Sequence, residues 1–152
     1  NLTLTENFML TTRQGFCRGP WLLRRKAQNR LQELIRTFDI HPPEPRAQAR
    51  QLSGGNLQKL VLAREFFRRP RLIVAEQPTQ GLDIAATEDV WQVLLKARAR
   101  AGILLVTGDL TEALSLADRI AVIYGGRIVD SFDADDRAKI ERIGLMMAGM
   151  SG

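Results

Sequence analysis

The sequence predicts an α/β protein on three observations: short apolar runs bounded by turn residues, amphipathic helical spacings lying between those runs, and a helical layer ahead of them. From residue 71 onward the order is strand, helix, strand, helix, strand. That order requires a mostly parallel sheet with crossover helices, and a terminal β-hairpin adds an antiparallel edge. With 152 residues, 45% of them hydrophobic, the chain can bury one modest core, so disorder is excluded as its main state.

Taken in order, the first element is a helix of one or two turns after Thr5, a good N-cap, carrying Phe8 and Leu10. Residues 14–20 read as a loop. From Trp21 the apolar positions Ala27, Leu31, Leu34, Ile35 and Phe38 recur on one helical face, and His41-Pro42-Pro43 ends that helix. Leu57, Leu60, Val61 and Phe67 define a second amphipathic helix, closed by Arg68, Arg69 and Pro70 with a suitably cationic last turn. Residues 71–76 have the profile of a strand buried on both faces. Residues 85–100 return to helical spacing, with Val90, Leu94 and Ala97 on one side and Gly102 just past the end. A buried strand over 103–107, a short helix over 111–117, a strand over 119–124, a Gly125-Gly126 turn and a strand over 127–132 follow. Residues 135–150 form a last amphipathic helix, whose Ile140, Ile143, Met146, Met147 and Met150 suit packing on the sheet or on a neighbouring domain better than metal binding. The expected organisation is 1–50 as part of a helical layer, 51–132 as the core, and 133–152 as a C-terminal helix.

The longest apolar runs, 103–106 and 120–124, are far short of the roughly 20 residues a membrane-spanning helix needs. A single cysteine, Cys17, excludes an internal disulfide and is read as inert; a reducing cytosol is the default compartment. The chain opens on Asn1 in text that reads like the middle of a protein, and it is taken as a fragment. A net charge of +5 and a pI near 10.1 raise the question of nucleic acid. The arginines are spread over several segments without interleaved aromatics to stack bases, so a solvated basic surface is expected and no nucleic acid.

Two strings carry the chemistry. In Leu52-Ser53-Gly54-Gly55-Asn56-Leu57-Gln58, Ser53 can cap the following helix. Gly54 and Gly55 remove side chains, so that backbone N–H groups and the positive helix end can approach an anion closely. Ser-Gly-Gly is also a plain flexible turn. In Leu72-Ile73-Val74-Ala75-Glu76-Gln77-Pro78-Thr79, Glu76 sits at the end of an apolar strand, where ligands of α/β sheets gather and a carboxylate can orient Mg²⁺ for phosphoryl transfer. A solvated loop charge is the plainer reading of Glu76 alone. Gly81-Leu82-Asp83 follows at once, and the combined order is hard to obtain by chance.

On these residues the chain resembles the ABC ATPases, over nearly its whole length. Thr5-Glu6-Asn7 resembles the opening of the family's helical subdomain, 52–58 its signature motif, 72–77 its Walker B strand, and 81–83 its D-loop. Leu116-Ala117-Asp118-Arg119-Ile120 and Gly125-Gly126-Arg127-Ile128-Val129 resemble its final hairpin. The wording of residues 77–83 and the ending Ile143-Gly144-Leu145-Met146-Met147-Ala148-Gly149 are most similar to the second ATPase module of fused importers for simple sugars or nucleosides.

The departures matter as much. Gln77 stands where the family has its catalytic Glu, and an amide cannot serve as a general base; Gly108 stands at the switch-histidine position. No Gly-x-x-x-x-Gly-Lys-Ser/Thr stretch occurs in these residues, and His41, in a proline-flanked turn, is no substitute. The resemblance therefore implies a partial ABC ATPase domain with no intact catalytic residue, not expected to hydrolyse ATP alone. It implies Ser53, Gly54, Gly55, Asn56, Gln58 and Asp83 as nucleotide-contacting, Glu76 as a displaced metal ligand, and ATP with Mg²⁺ shared with a second ABC ATPase module. Membrane permease subunits are the further implied partners, and the cytoplasmic face of the inner membrane, peripherally, the implied location. One rival is the C-terminal lobe of a chromosome-maintenance or DNA-repair ATPase, whose signature would follow long heptads not seen in residues 1–50. A binding module without nucleotide contact is the other.

Overall fold

The computed structural model describes residues 2–12, 15–18 and 20–150. They form two compact units, Asn1–Leu104 and Leu105–Gly152.

The first unit opens with α1 (Leu4–Met9), capped by Thr3 rather than Thr5. Thr3-x-x-Glu6 is a capping box: the Glu6 N–H donates to Thr3 Oγ1 (3.2 Å), and the Thr3 N–H donates to Glu6 Oε2 (2.9 Å). The Thr3 N–H and the Thr3 hydroxyl, which donates to the same oxygen (2.9 Å), hold the Glu6 carboxyl below its usual pKa, with the Arg24 charge adding to them. Thr5 is used instead to tie the helix down, its hydroxyl donating to the Pro45 carbonyl (2.8 Å). Phe8 is buried as expected, but Leu10 lies past the helix and is exposed. Within the segment expected to be a loop, Gln14 and Gly19 lie outside the described residues, while β1 (Cys17–Arg18) pairs antiparallel with β2 (Trp21–Leu22).

In α2 (Arg24–Thr37), Ala27, Leu31, Leu34 and Ile35 are buried as their spacing requires. The helix ends before the prolines. Asp39 takes a left-handed φ of 49°, a conformation that Asp tolerates, and the Ile40 N–H closes the end on the Ile35 carbonyl (3.0 Å).

Next comes α3 (Gly54–Phe67), which packs against α1 and α2. Its buried side is Lys59, Leu60, Leu62 and Ala63; Leu57, expected in the core stripe, is exposed. Phe8, Phe16 and Phe67 close the core with ring centroids 5.1 to 5.6 Å apart. Each fully buried ring contributes roughly 1.5–3 kcal/mol.

β3 (Leu72–Glu76), α4 (Ile84–Ala97) and β4 (Gly102–Val106) make a strand–helix–strand unit, with the unit boundary inside β4. β3 and β4 are hydrogen-bonded neighbours, and the Gly102 N–H donates to the Arg71 carbonyl (2.9 Å). The two strand beginnings thus lie side by side, so the strands run in the same direction, as a crossover helix permits. Contrary to expectation, β3 is not covered on both faces. Leu72 and Val74 on β3, and Leu104 and Val106 on β4, are all exposed, and in each strand the two stand two residues apart, on one face.

In the second unit, α5 (Leu110–Leu116) is capped by Asp109, which accepts from the Thr111 and Glu112 N–H groups. β5 (Arg119–Tyr124) and β6 (Arg127–Asp133) form an antiparallel hairpin. Its turn needs glycine, because Gly125 and Gly126 have φ of 57° and 74°, as a two-residue type I′ turn demands. Ile143 of α6 (Arg137–Met147) is buried against Ile120, Val122 and Phe132, with Ile140 and Met146 partly buried beside it, while Met147 and Met150 stay exposed. Past the helix, Gly149 has φ 76°, and a Cβ there would stand 2.3 Å from the Tyr124 ring.

Candidate functional site

The site residues of the first unit gather at two helix beginnings. Ser53 caps α3, its Oγ accepting from the backbone N–H of Asn56 (3.3 Å) and from Asn56 Nδ2 (3.0 Å). Asp83 caps α4, accepting from the Ala86 N–H (2.8 Å). Each residue is a good N-cap because a short side-chain oxygen reaches the first-turn amides. The first-turn amides of Gly54 and Gly55 have no carbonyl within α3 to donate to, and the helix dipole adds partial positive charge there.

The glycines do a second job that sequence reasoning missed. A Cβ on Gly54 would lie 3.6 Å from Leu82 Cδ2, and one on Gly55 would lie 2.6 Å from Ala86 Cβ. Gly55 is therefore required by packing: the start of α3 touches the start of α4, and only a hydrogen fits between them. This contact brings Ser53, Gly54, Gly55 and Asp83 into one neighbourhood.

Asn56 is already engaged. Its Oδ1 accepts from the His41 N–H (2.7 Å), so its side chain joins Ser53 to the loop after α2. His41 contributes that backbone group, while its ring Nε2 lies 2.9 Å from Asp39 Oδ1. Gln58 lies half-buried one turn further along α3. Leu57 and Ile84 are both exposed near the two caps, Ile84 to 82%.

Glu76 ends β3 with an exposed side chain, and Gln77 after it is exposed with φ 42°, a left-handed conformation uncommon for a residue with a side chain. Gly81 (φ 75°) turns the chain toward Asp83. Among the described residues no three His, Cys, Asp or Glu side chains cluster to hold a metal. Mg²⁺ commonly takes one or two carboxylates together with phosphate oxygens and water. Glu76 thus fits as one ligand among several and is not a metal site by itself. In the second unit, Gly108 is exposed and a Cβ on it would meet nothing within 4 Å. Among the described residues no helix is long and apolar enough to cross a membrane.

No family model matches the chain. Curated proteins do. It is 39% identical over 150 residues to the guanosine import ATP-binding protein NupO of Bacillus subtilis, covering 95% of this chain and 29% of that protein. It is 45% identical over 119 residues to the glucose import ATP-binding protein TsgD13 of Haloferax volcanii, covering 76% and 22%. To the nucleoside import ATP-binding protein NupA of Lactococcus lactis it is 35% identical over 151 residues, covering 97% and 30%. The chain thus spans under a third of the length of each. Among solved structures, the dimeric ATP-binding cassette MJ0796 bound to ADP and Pi superposes with a TM-score of 0.71 at 25% identity, over 88% of this chain and 57% of that one. The cassette MJ1267 gives a TM-score of 0.76 over 99% of this chain and 62% of that one; at 16% identity it speaks for the fold alone. Similar in sequence along almost all its length to import ATP-binding proteins, and folded like their cassettes, this chain belongs to the ABC ATPase cassettes, of which it is a partial domain.

Proposed function

We propose that the chain is the signature-bearing part of an ATP-binding subunit of an importer for simple sugars or nucleosides, and that it completes a nucleotide site held by a second ATPase module. The observation that carries this reading is the start of α3. There, two amides without helical acceptors, a positive dipole end and the Ser53 hydroxyl lie together on an exposed surface beside Asp83.

When Mg²⁺-ATP is bound by the partner, it supplies a terminal phosphate with dense negative charge. The Gly54 and Gly55 amides are oriented to donate toward such an anion, and Ser53 Oγ, while accepting from Asn56, keeps its own proton to donate. Gln58 and Asp83 border the same contact, and Glu76 offers a carboxylate to a metal on this chain's own side. Gln77 can orient water by hydrogen bonding but cannot take its proton, so the chain's own site is degenerate and hydrolysis belongs to the partner's site. The division into 1–50, 51–132 and 133–152 assigns the first segment to contact with permease subunits, at the cytoplasmic face of the inner membrane.

The names of the relatives support transport over DNA maintenance. So does α2, a 14-residue helix rather than the long coiled coil a chromosome-maintenance lobe would require. The test is association with a Walker A-bearing partner module with and without Mg²⁺-ATP. Wild-type chain should bind only with nucleotide, and Ser53→Arg should weaken binding at least about tenfold, the effect of losing hydrogen bonds to a charged group. Binding indifferent to nucleotide, or to the Ser53→Arg change, would refute the proposal.

A further inference from the structure

Lys59 is a buried charge that neither the core nor the phosphate contact explains. It is 7% exposed on the inner side of α3, beside Leu60, Leu62 and Ala63. Its Nζ reaches Asp89 Oδ2 on α4 at 2.7 Å and donates to the backbone carbonyl of Asp39, just past α2, at 3.2 Å. Asp39 Oδ2 stands 3.9 Å away. Three elements meet on one ammonium group.

Stability alone does not account for a lysine here, because an apolar side chain of similar length is often as good in such a place, and the best-attested use of a buried ionic group is to fix register. The register concerned can be read from the numbering. Lys59 is six residues past the cap Ser53 (59 − 53), and Asp89 is six residues past the cap Asp83 (89 − 83). At 1.5 Å per residue the ion pair lies about 9 Å along each helix from its cap. A second contact, Gly55 against Ala86, lies two and three residues past the same caps. Two points along two helices fix their axial offset: the ion pair places Ser53 and Asp83 level, and the Gly55 contact agrees to within one residue, about 1.5 Å of helix rise. The loop of residues 39–41 braces the same face, with its Asp39 carbonyl on Lys59 and its His41 N–H on Asn56.

We infer that Lys59 is a positioning residue which, through Asp89, holds the beginnings of α3 and α4 in register, so that the Gly54 and Gly55 amides and Asp83 face the partner's nucleotide together. The inference rests on the function proposed above for its consequence, but not for its geometry.

The test has two arms. In the first, spin labels at Leu57 and Ile84, both exposed near the caps, report the distance between the helix beginnings in the full chain with Cys17→Ser. Lys59→Met and Asp89→Asn should each broaden or shift that distance, and Lys59→Arg should restore it. In the second arm, the same variants are assayed for Mg²⁺-ATP-dependent association with the partner module, with thermal melting alongside. Lys59→Met and Asp89→Asn should each weaken association about tenfold, within the range for members of one buried network. The double variant should lose no more than the worse single, and Lys59→Arg should recover most of the affinity. Should Lys59→Met fail to fold, Asp89→Asn decides, since Asp89 is half exposed and its loss leaves the core untouched. An unchanged label distance in the folded variants overturns the inference whatever the partner does. Wild-type chain that ignores the ATP-loaded partner instead sinks the proposed function, and leaves the first arm to judge the register.

Discussion

At the scale of single residues, the two signature glycines are not equivalent. Gly54 has ordinary van der Waals room toward Leu82, whereas Gly55 abuts Ala86 at a distance no real Cβ tolerates. Gly54→Ala should therefore leave the melting temperature nearly unchanged. Gly55→Ala should destabilise the chain by about 1–3 kcal/mol, the usual cost of overpacking, and thermal unfolding of the two variants side by side checks it. Relief by a second change, Ala86→Gly, would localise the clash. Sequence reasoning named both glycines but for the anion alone, because a motif gives spacing along one helix and not what a second helix presses against it. Lys59 was missed for the same reason: nothing in its local string distinguishes a lysine turned inward from one turned to water. Thr3 was legible and overlooked, since Glu6 three residues on completes the capping box.

At the scale of elements, the regular pieces were largely legible. The strand over 119–124 is found with the same limits, and the double-glycine turn gave the hairpin, because a compact apolar run and a positive-φ turn both leave a trace in sequence. The β1–β2 pair is two residues long on each side, too short for any periodicity to show. The end of α2 was placed too late because the prolines are the louder signal, while a left-handed Asp39 does the work. Two carboxylates clasp elements in a pH-dependent way. Asp130 on β6 is held below its usual pKa chiefly by the Lys139 ammonium of α6, 2.5 Å away, and Glu6 of α1 chiefly by the Thr3 bonds. A lowered folded-state pKa means each clasp contributes fully above the ordinary carboxylate range, about pH 4, and is lost as pH falls through the lowered value. Melting curves from pH 6 down to about pH 2 should show this loss, and Asp130→Asn should flatten the part due to α6.

At the scale of the whole molecule, the feature that composition could not foretell is the bare apolar face of β3 and β4. Compact apolar runs read as buried strands, yet Leu72, Val74, Leu104 and Val106 are exposed. An exposed apolar face of this kind favours association with other apolar surfaces. The chain alone should therefore self-associate with rising concentration, and Val74→Lys should shift it toward monomer in sedimentation velocity without lowering the melting temperature. Equal association by both would show that the face is not responsible.

Gly108 is a glycine that the fold does not demand. Its surroundings are open and its backbone lies outside the conformations that only glycine favours. Any larger side chain, an imidazole included, could be seated there without rebuilding the scaffold around it.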